Sequence, residues 1–423
     1  MILSALASLR LLFSFHLYTV REENQLKIIC RIIEQYRLNE PFSRYLKSFF
    51  KAHPQMGSND RRLASSFSYN YFRLGKALND LRLIERLTIA NFLCSGISNT
   101  LLAYCLKKFS LLKEEDVTCP LAEKIIKIKE QHPAFNIENI FPFADHLSES
   151  INKKHFTTSF LIQPKLWIRI RRGFEEKVNE ELISKNILFG ADEKNPNILS
   201  FLNATSLEKT DSFLNGYFEI QDWSSQKTLD FIQPKPNETW WDACAGSGGK
   251  SLMMADAEPT LNIFASDTRN TILNNLEERF KKAGVKNYKT APLNLTEADL
   301  QSSISNHPFL SEYMLGGILA DVPCSGSGTW ARTPEWLTMF NENSLGHFVT
   351  LQRNIITNLS SSLRPGQPLV YITCSVFKEE NELNVKWMEE NLNLFLQKSA
   401  YIEGFFNQAD TLFVACFILR NND

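Results

Sequence analysis

From residue 239 onward, short apolar segments typical of buried strands alternate with helical segments. The predicted strands are Thr239 to Ala243, Ile263 to Asp267, Gly317 to Asp321, Leu369 to Thr373 and Leu412 to Leu419. The predicted helices are centred on Ile272 to Ala283, Leu345 to Leu363 and Asn381 to Leu394. This alternation indicates an α/β fold with a doubly wound, mostly parallel sheet, in which ligands bind beyond the carboxyl ends of the strands. Four polar residues are predicted at those ends: Asp242, Asp267, Asp321 and Cys374.

A glycine-rich segment, Asp242 to Ser251, joins the first of these strands to a helix. Glycines there let the backbone approach a ligand closely, and the start of the helix offers unpaired amide donors. One strand later, Asp267 is placed to hold the two hydroxyls of a ribose, so the combination predicts a nucleoside cofactor. The alternative is a phosphate-binding loop, but its GxxxxGK pattern fails because Cys244, not glycine, stands five positions before Gly249.

Two cysteines, Cys324 and Cys374, follow neighbouring predicted strands, and each is followed by serine. A single cysteine at a strand end is usually a small buried hydrophobic residue, but a matched pair indicates catalysis. Methylation of carbon 5 of a cytosine requires two such groups. That carbon is too weak a nucleophile to attack a sulfonium methyl group unless a thiolate first adds at carbon 6. A second thiol can then promote release of the first, and Asp321 lies close enough in sequence to Cys324 to protonate the ring at nitrogen 3.

Composition sets the broad class of protein. The formal net charge of −1 argues against a strongly basic protein that coats nucleic acid, but it is compatible with an enzyme that has a local basic groove. No CxxC pair occurs among the eight cysteines, so the sequence predicts no zinc site. A chain of 423 residues does not need disulfides for stability, and we expect reduced cysteines in the cytoplasm.

The segment from Met1 to Val20 is apolar, but Arg10 and His16 interrupt it. It lacks both the apolar run of about 18 residues that a membrane span needs and a clear cleavage site. The sequence therefore favours an amphipathic first helix, or a start codon placed too early, over an export signal. No membrane partner is predicted.

Two other regions precede the alternating series. Apolar residues recur every three to four positions from Leu26 to about Leu112, which predicts helices. A smaller α+β module follows, with predicted elements at Leu166 to Arg171, Phe174 to Lys185, Ile198 to Leu202 and Tyr217 to Ile220. Arg169 and Arg171 share one side of its first strand, and RNA is the natural partner of such a basic face.

Taken together, these segments resemble the Sun/RsmB-type family of S-adenosylmethionine-dependent RNA cytosine-5 methyltransferases. The resemblance covers residues 155 to 420 well and the helical region more faintly. The matching segments are Gly216 to Asp222, Asp242 to Ser251, Asp321 to Gly328, Arg332 to Glu335, Leu363 to Gly366, Tyr371 to Ser375 and Glu380 to Glu382. Two positions depart from the family pattern: Ser247 replaces a proline, and Asn294 replaces the aspartate that the family has after its own third strand.

The resemblance implies a role for each residue of the site. Cys374 would be the attacking nucleophile and Cys324 the cysteine that promotes release. Asp321 would orient or protonate the base, with Lys250 beside the same pocket. The residues implied to bind S-adenosylmethionine are Ala245, Gly246, Ser247, Gly248, Gly249, Lys250, Asp267, Asn294 and Asp321. Arg332, in one of the matching segments, is a further candidate for contact with RNA.

The resemblance also implies three parts. Residues 1–145 would form a NusB-like helical RNA-binding domain, residues 155–225 an RRM-like module, and residues 226–423 a Rossmann-type catalytic domain. The implied substrate is RNA, most simply ribosomal RNA. Separately from the resemblance, we expect no metal ion, and a monomer is the default expectation. The target base must leave its stack to enter the pocket.

Other functions fit parts of the pattern. In DNA cytosine methyltransferases the nucleophile follows a proline, as Cys324 does here, but the family match favours Cys374. A DNA substrate is disfavoured because the chain lacks a recognition insert between the two cysteine segments, whereas transfer RNA is open. A ribosome-assembly factor that binds RNA without catalysis is the alternative from another class. The joint presence of all five catalytic-type residues argues against it: Lys250, Asp267, Asp321, Cys324 and Cys374.

Overall fold

The computed structural model describes residues 20–109, 112–297 and 315–420, which form two compact units. The first unit takes in the described residues up to Ala144, together with Phe156–Gln163 and Trp330–Phe340. The second takes in Asp145–His155 and the described residues of Pro164–Thr329 and Asn341–Asp423. The prediction for the first twenty residues lies almost wholly outside the described residues.

The first unit is helical. Its α-helices are 20–35, Phe42–Ala52, Ser58–Arg73, Leu83–Cys94, Thr100–Phe109, Leu121–Gln131 and Trp336–Met339, and its 3-10 helices are Glu114–Thr118 and Ile137–Ile140. A helix at Lys153–Ser159 straddles the boundary between the units. The predicted helical character of this region is therefore confirmed, although the segment 330–340 comes from the middle of the part predicted to be catalytic.

Arg73 explains why that segment belongs to the helical unit. Its side chain is buried, and its Nη1 donates to the carbonyl oxygens of Phe160 at 2.9 Å and Ala331 at 2.8 Å. The buried Glu335 accepts a hydrogen bond from the backbone N–H of Phe42 at 3.1 Å. A buried guanidinium needs such acceptors, because each buried donor left without a partner costs about 1–3 kcal/mol.

The small α+β module opens the second unit. Its strands are β1 (Leu166–Ile170), β2 (Gly190–Ala191), β3 (Ile198–Phe201) and β4 (Phe218–Ile220), and its helices are Glu175–Ser184 and Asp211–Leu214. The strands pair antiparallel in the order β2-β3-β1-β4. One face packs on its own helices through Ile168, Val178 and Leu199. On the other face Trp167 and Ile198 pack against Ala409 and Trp223, so this face is covered.

The larger sheet has seven strands. They are β5 (Thr239–Asp242), β6 (Asn262–Asp267), β7 (Tyr288–Pro292), β8 (Leu315–Asp321), β9 (Pro368–Thr373), β10 (Leu394–Glu403) and β11 (Thr411–Leu419). Their order is β10-β11-β9-β8-β5-β6-β7, in which β5 to β9 are parallel and β10 and β11 pair antiparallel. The chain order reverses between β5 and β8, which is where open α/β sheets bind ligands.

Helices cover both faces of this sheet. Successive strand residues point to opposite faces, so neighbouring residues belong to different cores. Trp240 belongs to the core beneath the helices Gly249–Ala257 and Asn270–Ala283, whereas Trp241 belongs to the core beneath Leu345–Ser360 and Glu382–Asn391. The other helical segments of the unit are Trp223–Lys227, Thr228–Phe231, Ser327–Thr329, Glu342–Ser344 and Gly404–Asn407. The predicted Rossmann-type α/β fold is confirmed.

Candidate active site

The carboxyl ends of β5, β6, β8 and β9 open into a cavity of about 780 Å³. Its volume is in the range of small-molecule sites. The predicted residues in its wall are Ala245, Gly246, Ser247, Gly249, Lys250, Asp267, Asn294, Asp321, Cys324 and Cys374. Ala245 and Cys374, which are 129 positions apart in the chain, are thus brought to one edge of the sheet.

The glycine-rich loop takes the shape that its sequence requires. The Gly246 N–H donates to Asp267 Oδ2 at 3.1 Å, and the Gly248 N–H donates to the Ala245 carbonyl at 2.9 Å. Gly248 has φ of +78°, and a Cβ atom there would lie 2.6 Å from Leu276 Cγ. Gly248 is not among the residues of the cavity wall. It closes the loop against the helix behind it, where a larger residue would not fit.

Arg279 holds the loop at Ser247, the position where the family pattern has proline. The Arg279 guanidinium donates to the Ser247 carbonyl at 2.7 Å and to the Ser247 hydroxyl at 3.0 Å. It also donates to Glu219 Oε2 at 2.7 Å. Arg279 lines the cavity and was not predicted from the sequence. Glu219 lies within the matching segment Gly216 to Asp222, which was the one available signal for this contact.

Asp267 is oriented before any ligand binds. Arg269 donates to it from its backbone at 2.9 Å and from its side chain at 3.0 and 3.1 Å. Burial alone would raise the pKa of Asp267, but the hydrogen bonds from Arg269 and Gly246 lower it, so the carboxylate form is stabilised. Asn294 lies two residues beyond β7 on the same side of the cavity, and its side chain is exposed.

Asp242 differs from Asp267 because it is almost fully buried. Burial raises its pKa to about 7. Its Oδ2 accepts a hydrogen bond from the Ser251 hydroxyl at 2.5 Å, while its Oδ1 is buried without a hydrogen-bond partner. A buried oxygen left unpaired in the wall of a cavity suits a ligand that can donate to it.

Lys250 and Asp321 form an ion pair across the floor of the cavity. Lys250 Nζ lies 2.6 Å from Asp321 Oδ2, and the two side chains are 12% and 33% exposed. Although burial would lower the pKa of Lys250, the Asp321 carboxylate raises it above its usual value. Lys250 is therefore a cation at neutral pH, placed beside both Asp321 and the cysteines.

The two cysteines lie side by side. Cys324 Sγ is 3.2 Å from Cys374 Sγ, and the Cys374 N–H donates to Cys324 Sγ at 3.3 Å. The hydrogen bond with Cys374 and then burial raise the pKa of Cys324 well above that of a free thiol. Cys324 is therefore a protonated thiol at neutral pH. All eight cysteines lie in the described residues, and none forms a disulfide.

Sequence reasoning missed the buried carboxylate behind these cysteines. Glu380 is 0% exposed and accepts hydrogen bonds from Ser325 and Ser375, the residues that follow Cys324 and Cys374. The signal was present, since both cysteines are followed by serine and Glu380 lies in a matching segment.

In the structure, Arg169 and Arg171 pair with a carboxylate of the protein instead of forming the predicted basic face for RNA. Both bond to Asp256, Arg169 Nη1 at 2.5 Å and Arg171 Nε at 2.9 Å. Arg171 Nη2 also donates to the Ala283 carbonyl at 2.8 Å. The alternation correctly placed both arginines on one side of β1, but that side is covered by protein. They therefore join the small module to the larger sheet, and we do not assign them to RNA.

Arg332 lies outside the cavity wall, in the segment that belongs to the helical unit. Its predicted contact with RNA stays a prediction. In the described part of the chain, no helix is long and apolar enough to cross a membrane. No set of three or more His, Cys, Asp or Glu side chains suited to a metal ion occurs among the described residues either.

Part of the chain is similar to known methyltransferases. Residues 229–404 match the family model described as 16S rRNA methyltransferase RsmB/F, which confirms the resemblance seen in the sequence. The ribosomal RNA small subunit methyltransferase B of Salmonella arizonae is 25% identical over 276 residues, 63% of this chain and 58% of that protein. That of Escherichia coli O6:K15:H31 is 26% identical over 245 residues, 57% of this chain and 53% of that protein. The chain thus spans little more than half the length of these curated relatives.

Two solved structures share the fold. PH0851 is 20% identical, with a TM-score of 0.67 over 93% of this chain and 98% of that chain. NSun6 from Pyrococcus horikoshii, solved with SFG, is 19% identical, with a TM-score of 0.55 over 66% of this chain and 97% of that chain.

Proposed function

We propose that this protein transfers a methyl group from S-adenosylmethionine to carbon 5 of a cytosine in RNA, with ribosomal RNA as the favoured substrate. One observation carries the proposal. Two thiols 3.2 Å apart share a cavity wall with an ion pair and a glycine-rich loop. Cytosine-5 methylation through a covalent adduct needs a thiolate to attack carbon 6, and a second thiol at the same point can assist release.

The residues of the cavity fit S-adenosylmethionine. Ala245, Gly246, Ser247, Gly249 and Lys250 would hold one part of it, Asp267 would accept hydrogen bonds from the ribose hydroxyls, and Asn294 would contact the adenine. The unpaired Oδ1 of Asp242 adds a buried acceptor that a donor group of the ligand can satisfy. When bound, the cofactor supplies an electrophilic methyl group.

The thiol side of the cavity activates the base. The Cys374 thiolate adds to carbon 6 of the cytosine, while Asp321, held by Lys250, orients or protonates nitrogen 3. Carbon 5 then carries the electron density needed to take the methyl group. A solvent water takes the proton from carbon 5, the electrons of that bond re-form the double bond between carbons 5 and 6, and the Cys374 sulfur departs. Cys324, a protonated thiol 3.2 Å from Cys374, assists that departure.

The substrate follows from the relatives and from the depth of the site. The two curated relatives named above are ribosomal RNA methyltransferases, and transfer RNA is the other acceptor to be tested. Because the thiols lie at the ends of buried strands, the base must be unstacked or single-stranded to reach them. Stable pairing around the target should suppress the reaction. The proposed enzyme acts as a cytoplasmic monomer without a metal ion.

A methyl-transfer assay tests the proposal. Labelled S-adenosylmethionine is supplied with undermodified ribosomal RNA or transfer RNA, and the Cys374→Ala protein is run beside the wild type. Label recovered as 5-methylcytosine, and lost in the variant, supports the reaction and its nucleophile and shows which RNA to map. Measurable cofactor binding without transfer to either RNA would favour a non-catalytic RNA-binding factor.

A further inference from the structure

Glu380 is buried at the junction of the two cysteine-bearing segments. Its side chain accepts four hydrogen bonds although it is 0% exposed. Oε1 accepts from the Ser325 N–H at 2.9 Å and from Gln352 Nε2 at 2.9 Å, and Oε2 accepts from the hydroxyls of Ser325 and Ser375, each at 2.5 Å. A buried carboxylate is costly unless its oxygens are fully bonded, as they are here.

These hydrogen bonds join two segments that are 50 residues apart in the chain. Ser325 directly follows Cys324 after β8, and Ser375 directly follows Cys374 after β9. The two serine hydroxyls also lie 3.1 Å from each other. Glu380 itself is fixed, because Tyr371 Oη donates to its backbone carbonyl at 2.6 Å.

Glu380 does not line the cavity. It therefore has no direct access to a base or a cofactor, and its effect must pass through the segments that it holds. Other contacts between those segments are formed by the backbone and by Ser327. The Gly328 N–H donates to the Cys374 carbonyl at 2.9 Å, and the Val376 N–H donates to Ser327 Oγ at 2.9 Å.

We propose that Glu380 is a positioning residue that fixes the spacing of the two thiols by bonding both serines at once. This inference rests on the proposed function, because the spacing matters only if both thiols act on one base. The requirement is one of reach: the side chain must be long enough to meet Ser325 and Ser375 together. Its charge is secondary, since a glutamine amide could accept from Ser325 N–H and donate to the two hydroxyls.

Phenylarsine oxide measures this spacing without RNA or cofactor. Its arsenic forms one bond to each of two thiol sulfurs, and the oxygen leaves with the two thiol protons as water. Binding that persists in Cys374→Ala comes from other cysteines and is subtracted. The remaining affinity measures the pair Cys324 and Cys374. Glu380→Asp keeps the charge and shortens the reach, whereas Glu380→Gln keeps the reach and removes the charge.

If reach decides, Glu380→Asp weakens arsenical binding about tenfold, the equivalent of losing one hydrogen bond to a charged group. Glu380→Gln stays within about threefold of the wild type, since the lost charge is not the main contribution. Ser325→Ala and Ser375→Ala each remove one serine hydroxyl that donates to Glu380 Oε2. They test the same connection in proteins that keep the Glu380 carboxylate. Glu379→Ala is the matched control, because the neighbouring Glu379 bonds to His146 at 2.8 Å and contacts neither serine in the described structure; it should bind like the wild type.

The opposite pattern, with Glu380→Gln impaired and Glu380→Asp normal, would overturn positioning in favour of charge. Wild-type affinity in Glu380→Asp or in both serine variants would also overturn it. If Glu380→Asp does not fold, judged by its melting curve, the serine variants decide. In an active enzyme Glu380→Asp should lower kcat about tenfold and leave the KM for S-adenosylmethionine unchanged. A failed transfer assay beside an intact arsenical pattern would count against the proposed function and not against the role of Glu380.

Discussion

The two ends of the cavity are built differently. At the cofactor end, defined by residues 244–249, Asp267 and Asn294, the polar groups are backbone amides and individual side chains: Asp267 is buried and bonded to Arg269, which is 63% exposed, and Asn294 is exposed. At the thiol end, defined by Lys250, Asp321, Cys324 and Cys374, the serines that follow the two cysteines bond to the buried Glu380, and Lys250 and Asp321 pair with each other.

This difference separates binding from chemistry. At the cofactor end each group contacts the ligand separately, so losing one costs little more than that contact. At the thiol end the groups proposed to react are held by one another and, through the two serines, by Glu380, and they act on charge that develops during the reaction. Substitutions at the cofactor end should therefore change affinity, and substitutions at the thiol end should change turnover.

The largest effect is expected at the cysteines. Cys374→Ala should lower turnover about ten-thousandfold, because removal of a nucleophile leaves only binding and positioning to accelerate the reaction. It should also abolish the covalent RNA adduct seen on a denaturing gel. Cys324→Ala should instead let the adduct accumulate, because attack is retained and release is slowed.

Cys416→Ala is the control for both variants, since Cys416 lies on β11 outside the cavity wall. It should react like the wild type. Adduct accumulation in Cys374→Ala, with none in Cys324→Ala, would exchange the two roles and make the cysteine that follows a proline the nucleophile.

The next effect is expected at the ion pair of the thiol end. Lys250→Met should lower kcat about a hundredfold, in the range of lost acid–base assistance, because Asp321 then loses the cation that holds it against the base. Lys227→Met offers a matched control: Lys227 pairs with Asp192 at 2.9 Å and is 18% exposed, but neither residue lines the cavity. Equal losses of kcat in the two variants would show that the effect at Lys250 comes from stability alone.

The strands that carry this site could be predicted from the sequence, because buried parallel strands such as β5, with Trp240 and Trp241, form continuous apolar runs. Two strands were missed, β7 and β10. Both lie at the edges of the sheet, where one face meets water and charged residues such as Lys289 and Lys398 break the apolar pattern.

The sequence predicted the residues that we propose to react but not the residues that support them. Asp267 and Asp321 end their strands, and the two cysteines lie in the segments just after β8 and β9. Lys250 lies at the start of the helix that follows β5, so the place of each follows from the fold. Glu380 comes from a run of charged residues that is typical of an exposed turn, and only the three-dimensional structure shows that it is buried. The arginines of β1 show the same limit, because alternation gives the side of a strand and not what covers that side.

At the cofactor end, Asp267→Asn should weaken binding of S-adenosylmethionine about thirtyfold, since it removes a charged acceptor oriented toward the ribose. The value of kcat at saturating cofactor should change little. Titration calorimetry measures the affinity, with Asp230→Asn, an exposed substitution outside the cavity, as control. A large loss of kcat at unchanged affinity would mean that the two ends are not separable.

The smallest effect is expected at Asn294, where the family pattern has an aspartate. Its Oδ1 already accepts from the Thr296 N–H at 3.2 Å and hydroxyl at 2.8 Å, and the side chain is exposed, so one neutral hydrogen bond to the adenine is all that a ligand can lose. Asn294→Ala should therefore weaken cofactor binding about fivefold, and Asn294→Asp should leave it near the wild-type value. Asn343→Ala, exposed and outside the cavity wall, serves as control. Unchanged affinity in Asn294→Ala would remove this residue from the cofactor site and leave Asp267 as the main side-chain contact there.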